Sequence, residues 1–189
     1  LLPCDLEAYL GTERHAFTKY FHLNAQSARN KNIDFEVFFN QVPFFFDVVM
    51  LSETWYRNES DVLKLPGYVS FSLNRTTRRG GGVCLLIKDT INCELLSDYS
   101  CITRDFEVLT VRAKCVIISV FYRPPDGNSE NFLEVFNTYL RFVNDNSYTV
   151  ICGGDFNIDM LKDTTLKREM NMITETNGCR NTINIPTRV

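Results

Sequence analysis

Short hydrophobic runs alternate along this chain with longer segments in which apolar residues recur every three or four positions. The runs predict buried or half-buried strands over residues 20–24, 47–51, 68–73, 82–87, 106–111, 116–121 and 148–152. The helical spacing predicts helices over residues 33–39, 130–143 and 166–176. This order of elements predicts an α/β fold with a sheet-rich core.

Turn-forming residues separate these elements. An arginine- and glycine-rich segment between the third and fourth strands suits a flexible hairpin loop. Pro124-Pro125-Asp126-Gly127 breaks the chain before a helix for which Ser129 is the predicted N-cap. The alternating run at 106–111 predicts an outer strand, and the continuous run at 116–121 predicts a central one.

The composition is that of one globular domain. The chain has 189 residues, of which 44% are hydrophobic and 23% charged, and this balance argues against disorder. Residues 1–19 are polar and irregular, so we expect a leader there and a single domain over 20–189. The apolar runs are too short to cross a bilayer, and no secretory signal is recognisable.

Net charge and cysteine usage narrow the classes of function further. The formal charge of −3 has the wrong sign for a protein that coats nucleic acid by bulk electrostatics, but it permits an enzyme that gathers carboxylates round a metal. The seven cysteines show no CxxC or Cys/His ligand spacing. We therefore expect reduced, intracellular thiols and no zinc site.

Polar side chains with metal- and phosphate-binding chemistry follow four of the predicted strands. These residues are Asn24, Glu53, Tyr122, Asp155 and Asn157. Strand ends are where polar groups of an α/β sheet converge on a ligand, and oxygen ligands of this kind suit Mg²⁺. Each residue alone also has an ordinary structural explanation, as a solvated turn residue or a packed tyrosine. The combination favours a hydrolytic site for a phosphate ester.

The segments around these residues resemble the motifs of endonuclease/exonuclease/phosphatase domains. The matching segments are His22–Ser27 (HLNAQS) with Lys31, 51–55 (LSETW), 80–83 (GGGV), 121–125 (FYRPP) and 153–158 (GGDFNI). Their wording is most similar to the endonucleases of LINE-type (non-LTR) retrotransposons. The resemblance implies a DNase-I-like four-layer α/β sandwich, in which two mixed β-sheets pack face to face with helices outside.

The resemblance also implies a role for each site residue. Glu53 would bind a divalent metal, Mg²⁺ or alternatively Mn²⁺, with Asn24 close to it. Tyr122 would contact the scissile phosphate, and Asp155 would orient or deprotonate the attacking water. Asn157 would hold the phosphate or that aspartate in place. One further residue, Thr187, would line the same cleft.

The chain departs from the family at its end. Family members continue with strands that carry a further aspartate and a final Ser-Asp-His, whereas this sequence stops at Val189. Its two histidines are His15, in the expected leader, and His22, in the first strand, where a packed structural role is expected. Losing a catalytic acid or base typically costs about 10²–10⁴-fold in rate. We therefore expect a C-terminally incomplete domain with little or no activity.

Basic residues near the expected site are candidate DNA contacts. Arg75, Arg78 and Arg79 lie in the hairpin loop, and Arg29 and Lys31 lie at the start of the first helix. Clustered arginines near a phosphate site position a duplex through its backbone without reading sequence. The alternative is that these are solubilising loop charges.

Three functions remain open from the sequence. The first is a monomeric, nuclear endonuclease domain that nicks double-stranded DNA and leaves a 3′ hydroxyl for a reverse transcriptase domain further along the full element. The second is another phosphodiesterase or phosphatase of the same fold, such as an abasic-site endonuclease. The third is a non-catalytic remnant of such a domain.

Overall fold

Residues 18–42, 45–76, 80–183 and 185 are described by a computed structural model. Within these ranges the chain forms nine strands: β1 (Tyr20–Asn24), β2 (Val48–Ser52), β3 (Tyr68–Leu73), β4 (Val83–Lys88), β5 (Glu94–Leu95), β6 (Cys101–Ile102), β7 (Glu107–Ala113), β8 (Val116–Tyr122) and β9 (Thr149–Asp155). It also forms three α-helices: α1 (Asn32–Gln41), α2 (Ser129–Asp145) and α3 (Thr165–Thr176).

The first sheet has the strand order β1-β2-β4-β3. β1 and β2 run parallel with Asn24 opposite Ser52, while β4 is antiparallel to both β2 and β3. All five residues of β2 are buried, which fits its continuous run of apolar residues. The parallel pair places the carboxyl ends of β1 and β2 at the same edge of the sheet.

The second sheet has the order β5-β7-β8-β9, and β6 also pairs with β7. β7 and β8 are antiparallel with Glu107 opposite Tyr122. β8 and β9 are parallel, and their last paired residues are Tyr122 and Asp155. This sheet is therefore mixed as well, and its parallel pair also ends in polar residues.

The two sheets pack face to face and helices cover their outer surfaces. Met50, Leu85, Leu109 and Val120 belong to the apolar cluster between the sheets, which draws on β2, β4, β7 and β8. Helix α1 covers the first sheet, with Phe35 buried among its side chains. Helices α2 and α3 cover the second sheet through a separate, aromatic-rich cluster. This confirms the predicted four-layer α/β sandwich of two mixed sheets.

Several predicted elements differ from the structure in detail. The side chain that caps α2 is Asn128, which accepts a hydrogen bond from the Asn131 amide, so the prediction of Ser129 as N-cap was wrong by one residue. β7 is not an outer strand, because the two-residue strands β5 and β6 pair along its other side. β9 continues through two glycines to Asp155, because β8 offers a parallel partner as far as Tyr122.

Two segments predicted from the sequence lie partly outside the described residues. Most of the expected leader, residues 1–17, lies outside them, as do residues 77–79 of the hairpin loop. None of the helices in the described ranges combines the length and hydrophobicity that a membrane span requires.

Candidate active site

The side chains predicted to carry the chemistry lie where four strands end. β1 and β2 end side by side in the first sheet, and β8 and β9 end side by side in the second. Because the sheets pack face to face, these four ends meet at one rim of the sandwich. The structure brings Asn24, Glu53, Tyr122, Asp155 and Asn157 to this rim.

Asn24 connects the two sheets at the centre of the site. Its Nδ2 donates hydrogen bonds to Glu53 Oε1 at 2.8 Å and to Asp155 Oδ2 at 2.6 Å. One amide group therefore holds two carboxylates that are 102 positions apart in the sequence (155 − 53). Two carboxylates held this close repel each other, and such an arrangement favours binding of a cation.

The backbone around Glu53 is folded back by close contacts with glycines. Glu53 and Trp55 have left-handed φ angles of 53° and 57°. The amides of Thr54 and Trp55 donate to the carbonyls of Gly82 and Gly81 at 3.1 and 2.9 Å. A Cβ on Gly82 would lie 2.6 Å from Thr54 Oγ1, so this approach requires glycine. The segments that resemble the family at 51–55 and 80–83 are thus one unit in space.

Tyr122 is buried beside Glu53. Burial, the Glu53 charge and a hydrogen bond with the Glu53 carboxylate raise the pKa of Tyr122 above its usual value. The phenol is therefore protonated at neutral pH, and its hydroxyl donates this hydrogen bond to the carboxylate.

The loop after β9 is arranged around the Asp155 carboxylate. The Asn157 backbone amide donates to Asp155 Oδ1 at 3.0 Å, while Oδ2 accepts from Asn24. Asn157 has a left-handed φ of 49°, and its side-chain Nδ2 donates to the Arg123 carbonyl at 2.7 Å. Both oxygens of Asp155 are thus held by donors, which fixes the orientation of the carboxylate.

Arg123 supports this loop and was not singled out from the sequence. Its side chain is buried, and its guanidinium donates to the carbonyls of Phe156, Asn157 and Gly127 at 2.7–2.8 Å. The sequence does carry a signal for it. The arginine stands between an apolar strand and two prolines, a position where packing alone does not stabilise a charged side chain.

The structure corrects the prediction for Arg75. Its side chain is only 5% exposed and forms an ion pair with Glu107, whose side chain is fully buried. Glu107 Oε2 also accepts a hydrogen bond from the Gly82 amide at 2.6 Å. Arg75 therefore faces the interior instead of extending from an open loop toward phosphate, because Glu107 at the start of β7 provides a buried partner.

The remaining candidate contacts are only partly described. Arg78, Arg79 and Thr187 lie outside the described residues. Arg29 Nε lies 3.2 Å from Asp61 Oδ2, so part of its charge is used within the protein. Lys31 directly precedes α1.

His22 is a packed histidine. Its Nε2 lies 3.2 Å from Ser52 Oγ, within hydrogen-bond distance. Burial lowers the pKa of His22 to about 4, although the nearby Asp155 carboxylate opposes this effect. The ring is therefore neutral at neutral pH, as expected of a structural histidine.

The donor set at the rim fits a hard divalent cation. Glu53, Asp155 and Asn24 supply carboxylate and amide oxygens, and Mg²⁺ characteristically takes one or two carboxylates and keeps several waters. In the described part of the chain, no group of three histidine, cysteine or acidic residues is arranged to hold a metal. Oxygen donors of the kind at the rim suit Mg²⁺ or Mn²⁺, whereas structural Zn²⁺ is held mainly by cysteine and histidine.

Comparisons with known proteins show the family and the fold of the chain. A sequence model of the endonuclease/exonuclease/phosphatase family matches residues 16–184. No curated protein sequence is significantly similar to the chain.

Among solved structures, the endonuclease domain of TRAS1, a telomere-specific non-LTR retrotransposon, is 16% identical with a TM-score of 0.58. That match covers 83% of this chain and 70% of the TRAS1 domain. An AP endonuclease from Archaeoglobus fulgidus is 15% identical with a TM-score of 0.59, covering 83% and 69%. The Xenopus laevis APE2 catalytic domain is 14% identical with a TM-score of 0.53, covering 81% and 66%. At these identities the likeness is one of fold.

Proposed function

Because this chain belongs to the endonuclease/exonuclease/phosphatase family, we propose that it hydrolyses phosphodiester bonds of double-stranded DNA with the help of a divalent cation. The observation that carries the proposal is the Asn24 amide, which holds Glu53 and Asp155 together across the two sheets. The resemblance assigns metal binding to Glu53 and Asn24 and water activation to Asp155, and these three residues meet although they are far apart in the sequence.

Glu53, with Asn24 beside it, would hold Mg²⁺ or Mn²⁺. Such a cation neutralises charge on a phosphodiester oxygen and on the leaving oxyanion. The left-handed backbone of Glu53, and the hydrogen bonds of the next two amides to the carbonyls of Gly82 and Gly81, set the direction of the carboxylate before any cation binds. Preorganisation of this kind reduces the cost of reaching the transition state.

Asp155 would orient the attacking water and accept its proton. Its carboxylate is fixed by the Asn24 side chain and the Asn157 amide, so it is held in one orientation for this role. Tyr122 would donate a hydrogen bond from its hydroxyl to a phosphate oxygen and keep its proton, because its pKa is raised. Asn157 acts mainly by holding the aspartate in place.

We expect the reaction to be slow in this chain. His22 is the histidine within the described residues, and it is half-buried, neutral and within hydrogen-bond distance of Ser52. It therefore does not supply a protonated imidazole to the leaving group. The absence of such an acid would lower the rate by about 10²–10⁴-fold relative to a site that has one.

The finer role that we propose is DNA nicking for a non-LTR retrotransposon. It is supported by the wording of residues 51–55, 121–125 and 153–158, and by the fold shared with the TRAS1 endonuclease domain. The product would be a 3′ hydroxyl in chromosomal DNA, used by a reverse transcriptase domain. This role implies action in the nucleus. We also propose that the domain acts as a monomer. Arg78 and Arg79 are proposed to contact the DNA backbone near the cleft.

Nicking of supercoiled plasmid tests the proposal. The purified chain is incubated with plasmid and Mg²⁺, or with EDTA, and open circles are followed over time. We expect slow nicking that needs Mg²⁺ and is lost in Asp155→Ala. The matched control is Asp159→Ala, because Asp159 lies four residues further on and is an exposed residue paired with Lys162.

The outcomes separate the proposed function from its alternatives. Nicks that a DNA polymerase extends directly support formation of a 3′ hydroxyl. Cleavage confined to a duplex with an abasic site would replace the nicking role by abasic-site cleavage. The absence of Mg²⁺-dependent cleavage at excess protein would contradict the proposed activity, as would nicking that Asp155→Ala retains.

A further inference from the structure

Three backbone carbonyls from two different loops converge on the buried guanidinium of Arg123. Its Nε donates to the Phe156 carbonyl at 2.8 Å, and its two terminal nitrogens donate to Gly127 and Asn157 at 2.8 and 2.7 Å. The Arg123 residue is 5% exposed. The loop after β8 and the loop after β9 are thus joined through one side chain.

Burial of a charged group here needs a reason other than packing. Removing a guanidinium from water is costly unless its donors are satisfied, and here backbone carbonyls satisfy three of them. Burial lowers the pKa of Arg123, and the Asp155 charge opposes this effect. The buried guanidinium therefore lies next to the residues of the candidate site, Asp155 and Asn157.

The end of β9 and the loop after it also bind to the Arg123 backbone. Its backbone amide donates to the Asp155 carbonyl at 3.0 Å, and its own carbonyl accepts from Asn157 Nδ2 at 2.7 Å. The Asn157 amide in turn donates to the Asp155 carboxylate. These bonds form a closed set in which Asp155 is connected to Arg123 both directly and through Asn157.

The backbone that Arg123 holds would be difficult to maintain without it. Asn157 is in the left-handed region at φ 49°, which is uncommon for a residue other than glycine. The Phe156 ring packs against Phe121 and Phe136, so the loop is anchored in the aromatic core on that side. The guanidinium supplies the opposite anchor, at the carbonyls.

We propose that Arg123 is a positioning residue for the proposed hydrolysis: its planar guanidinium fixes the backbone of Phe156 and Asn157 and so holds the Asp155 carboxylate toward the attacking water. This inference rests on the proposed function. Arg123 does not touch the reacting atoms and acts through Asp155 and Asn157.

The geometry makes the shape of the side chain as important as its charge. A guanidinium is a rigid fork that donates to three carbonyls at once, whereas a lysine ammonium is a point charge on a flexible stem. Arg123→Lys would therefore keep the charge near Asp155 and lose the fork. A displacement of about 1 Å in a reacting group costs on the order of 10²-fold in rate. We expect a loss of that size in kcat with KM for DNA unchanged.

The experiment compares the full chain with Arg123→Lys, Arg123→Ala and Arg112→Lys. Arg112 is the matched control, because it also lies in the second sheet and donates to a neighbouring group, Tyr148 Oη, but its guanidinium is exposed. Three quantities are measured: kcat and KM for nicking, hydrogen exchange of the peptide over 154–158, and rescue of Arg123→Ala by millimolar guanidinium.

The expected result is faster exchange at 154–158 in Arg123→Lys, a fall in kcat without a change in KM, and partial rescue of Arg123→Ala. Arg112→Lys should match the wild type in kcat, KM and exchange at 154–158. Unchanged exchange at 154–158 in Arg123→Lys would overturn the proposal, and so would a loss confined to KM. If Arg123→Ala unfolds, Arg123→Lys decides.

The exchange measurement separates this inference from the proposed function. If the wild type does not nick DNA, the proposed function fails, while exchange at 154–158 still shows whether the arginine fork holds the Asp155 loop. If the wild type nicks and Arg123→Lys is normal in both rate and exchange, only the positioning role fails.

Discussion

Glu107→Gln is expected to destabilise the fold strongly, because it leaves the Arg75 guanidinium buried without its carboxylate. Glu107 is fully buried, and the Arg75 side chain is 5% exposed. Glutamine has the same size and keeps an oxygen that accepts the Gly82 amide hydrogen bond. The substitution therefore removes the charge and leaves the shape nearly unchanged.

The size of the effect follows from the burial of both partners. Breaking a buried ion pair by removing one charge typically costs about 3–5 kcal/mol, since the remaining charge is uncompensated. We expect about 3 kcal/mol here, a large part of the roughly 5–15 kcal/mol that stabilises a typical domain. The loss should also reach the candidate site, because Glu107 lies opposite Tyr122 in the β7–β8 ladder.

Urea denaturation measures this change, followed by circular dichroism and by the fluorescence of Trp55, the single tryptophan. The matched control is Glu94→Gln. Glu94 is the carboxylate partner of Arg112, which lies on β7 as Glu107 does, and the side chains of Glu94 and Arg112 are both exposed. We expect a much smaller change for this exposed pair, since water screens it.

A double substitution sharpens the test. Arg75→Met in the Glu107→Gln background removes the uncompensated charge, so part of the lost stability should return. Equal free energies of unfolding for Glu107→Gln and Glu94→Gln would refute the reasoning. So would strictly additive effects of the two substitutions at Arg75 and Glu107.

Three further predictions follow from single contacts. Gly154→Ala should lower the free energy of unfolding by more than about 2 kcal/mol in urea titrations. A Cβ at this position would lie 2.1 Å from the Phe121 carbonyl oxygen, and the φ of 155° is strained for other residues. Gly153→Ala should lower it less, since the nearest neighbour of its Cβ would be a flexible methionine sulfur. Burial disfavours ionisation of Asp47, but hydrogen bonds from a lysine ammonium and a backbone amide outweigh it and lower its pKa. The stability that Asp47→Asn removes should therefore be present at neutral pH and disappear as the pH falls through the lowered pKa, which acid-range urea titrations would show. Tyr122→Phe should slow plasmid nicking at least about tenfold without changing the circular dichroism spectrum, and an unchanged rate would exclude its hydroxyl from the reaction.

The fold was predictable because its signals are local. The apolar runs gave the bounds of β1 and β3 exactly as the structure has them, at 20–24 and 68–73. The three- and four-residue spacing located all three helices of the described chain to within a few residues. Strands β5 and β6 were not predicted, since two residues carry no periodicity and these strands exist only through pairing with β7.

The residues of the candidate site could be predicted from the sequence, but the buried residues that hold them in place could not. Motif wording pointed to Asn24, Glu53 and Asp155, which the structure brings together. The buried arginines were misjudged or missed, because the burial of a charge depends on partners distant in the sequence. Arg75 and Glu107 are 32 positions apart (107 − 75), and Arg123 reaches a carbonyl 34 positions away.

We propose that Glu53 and Asp155 lie on either side of one divalent-cation site, with Asn24 between them. A crystal of this chain grown with Mn²⁺ would reveal that site by anomalous scattering. We expect a single strong peak beside the Glu53 carboxylate, with the Asp155 carboxylate on the same side of the cleft. A peak elsewhere on the surface, or packed apolar side chains between the Glu53 and Asp155 carboxylates, would contradict it.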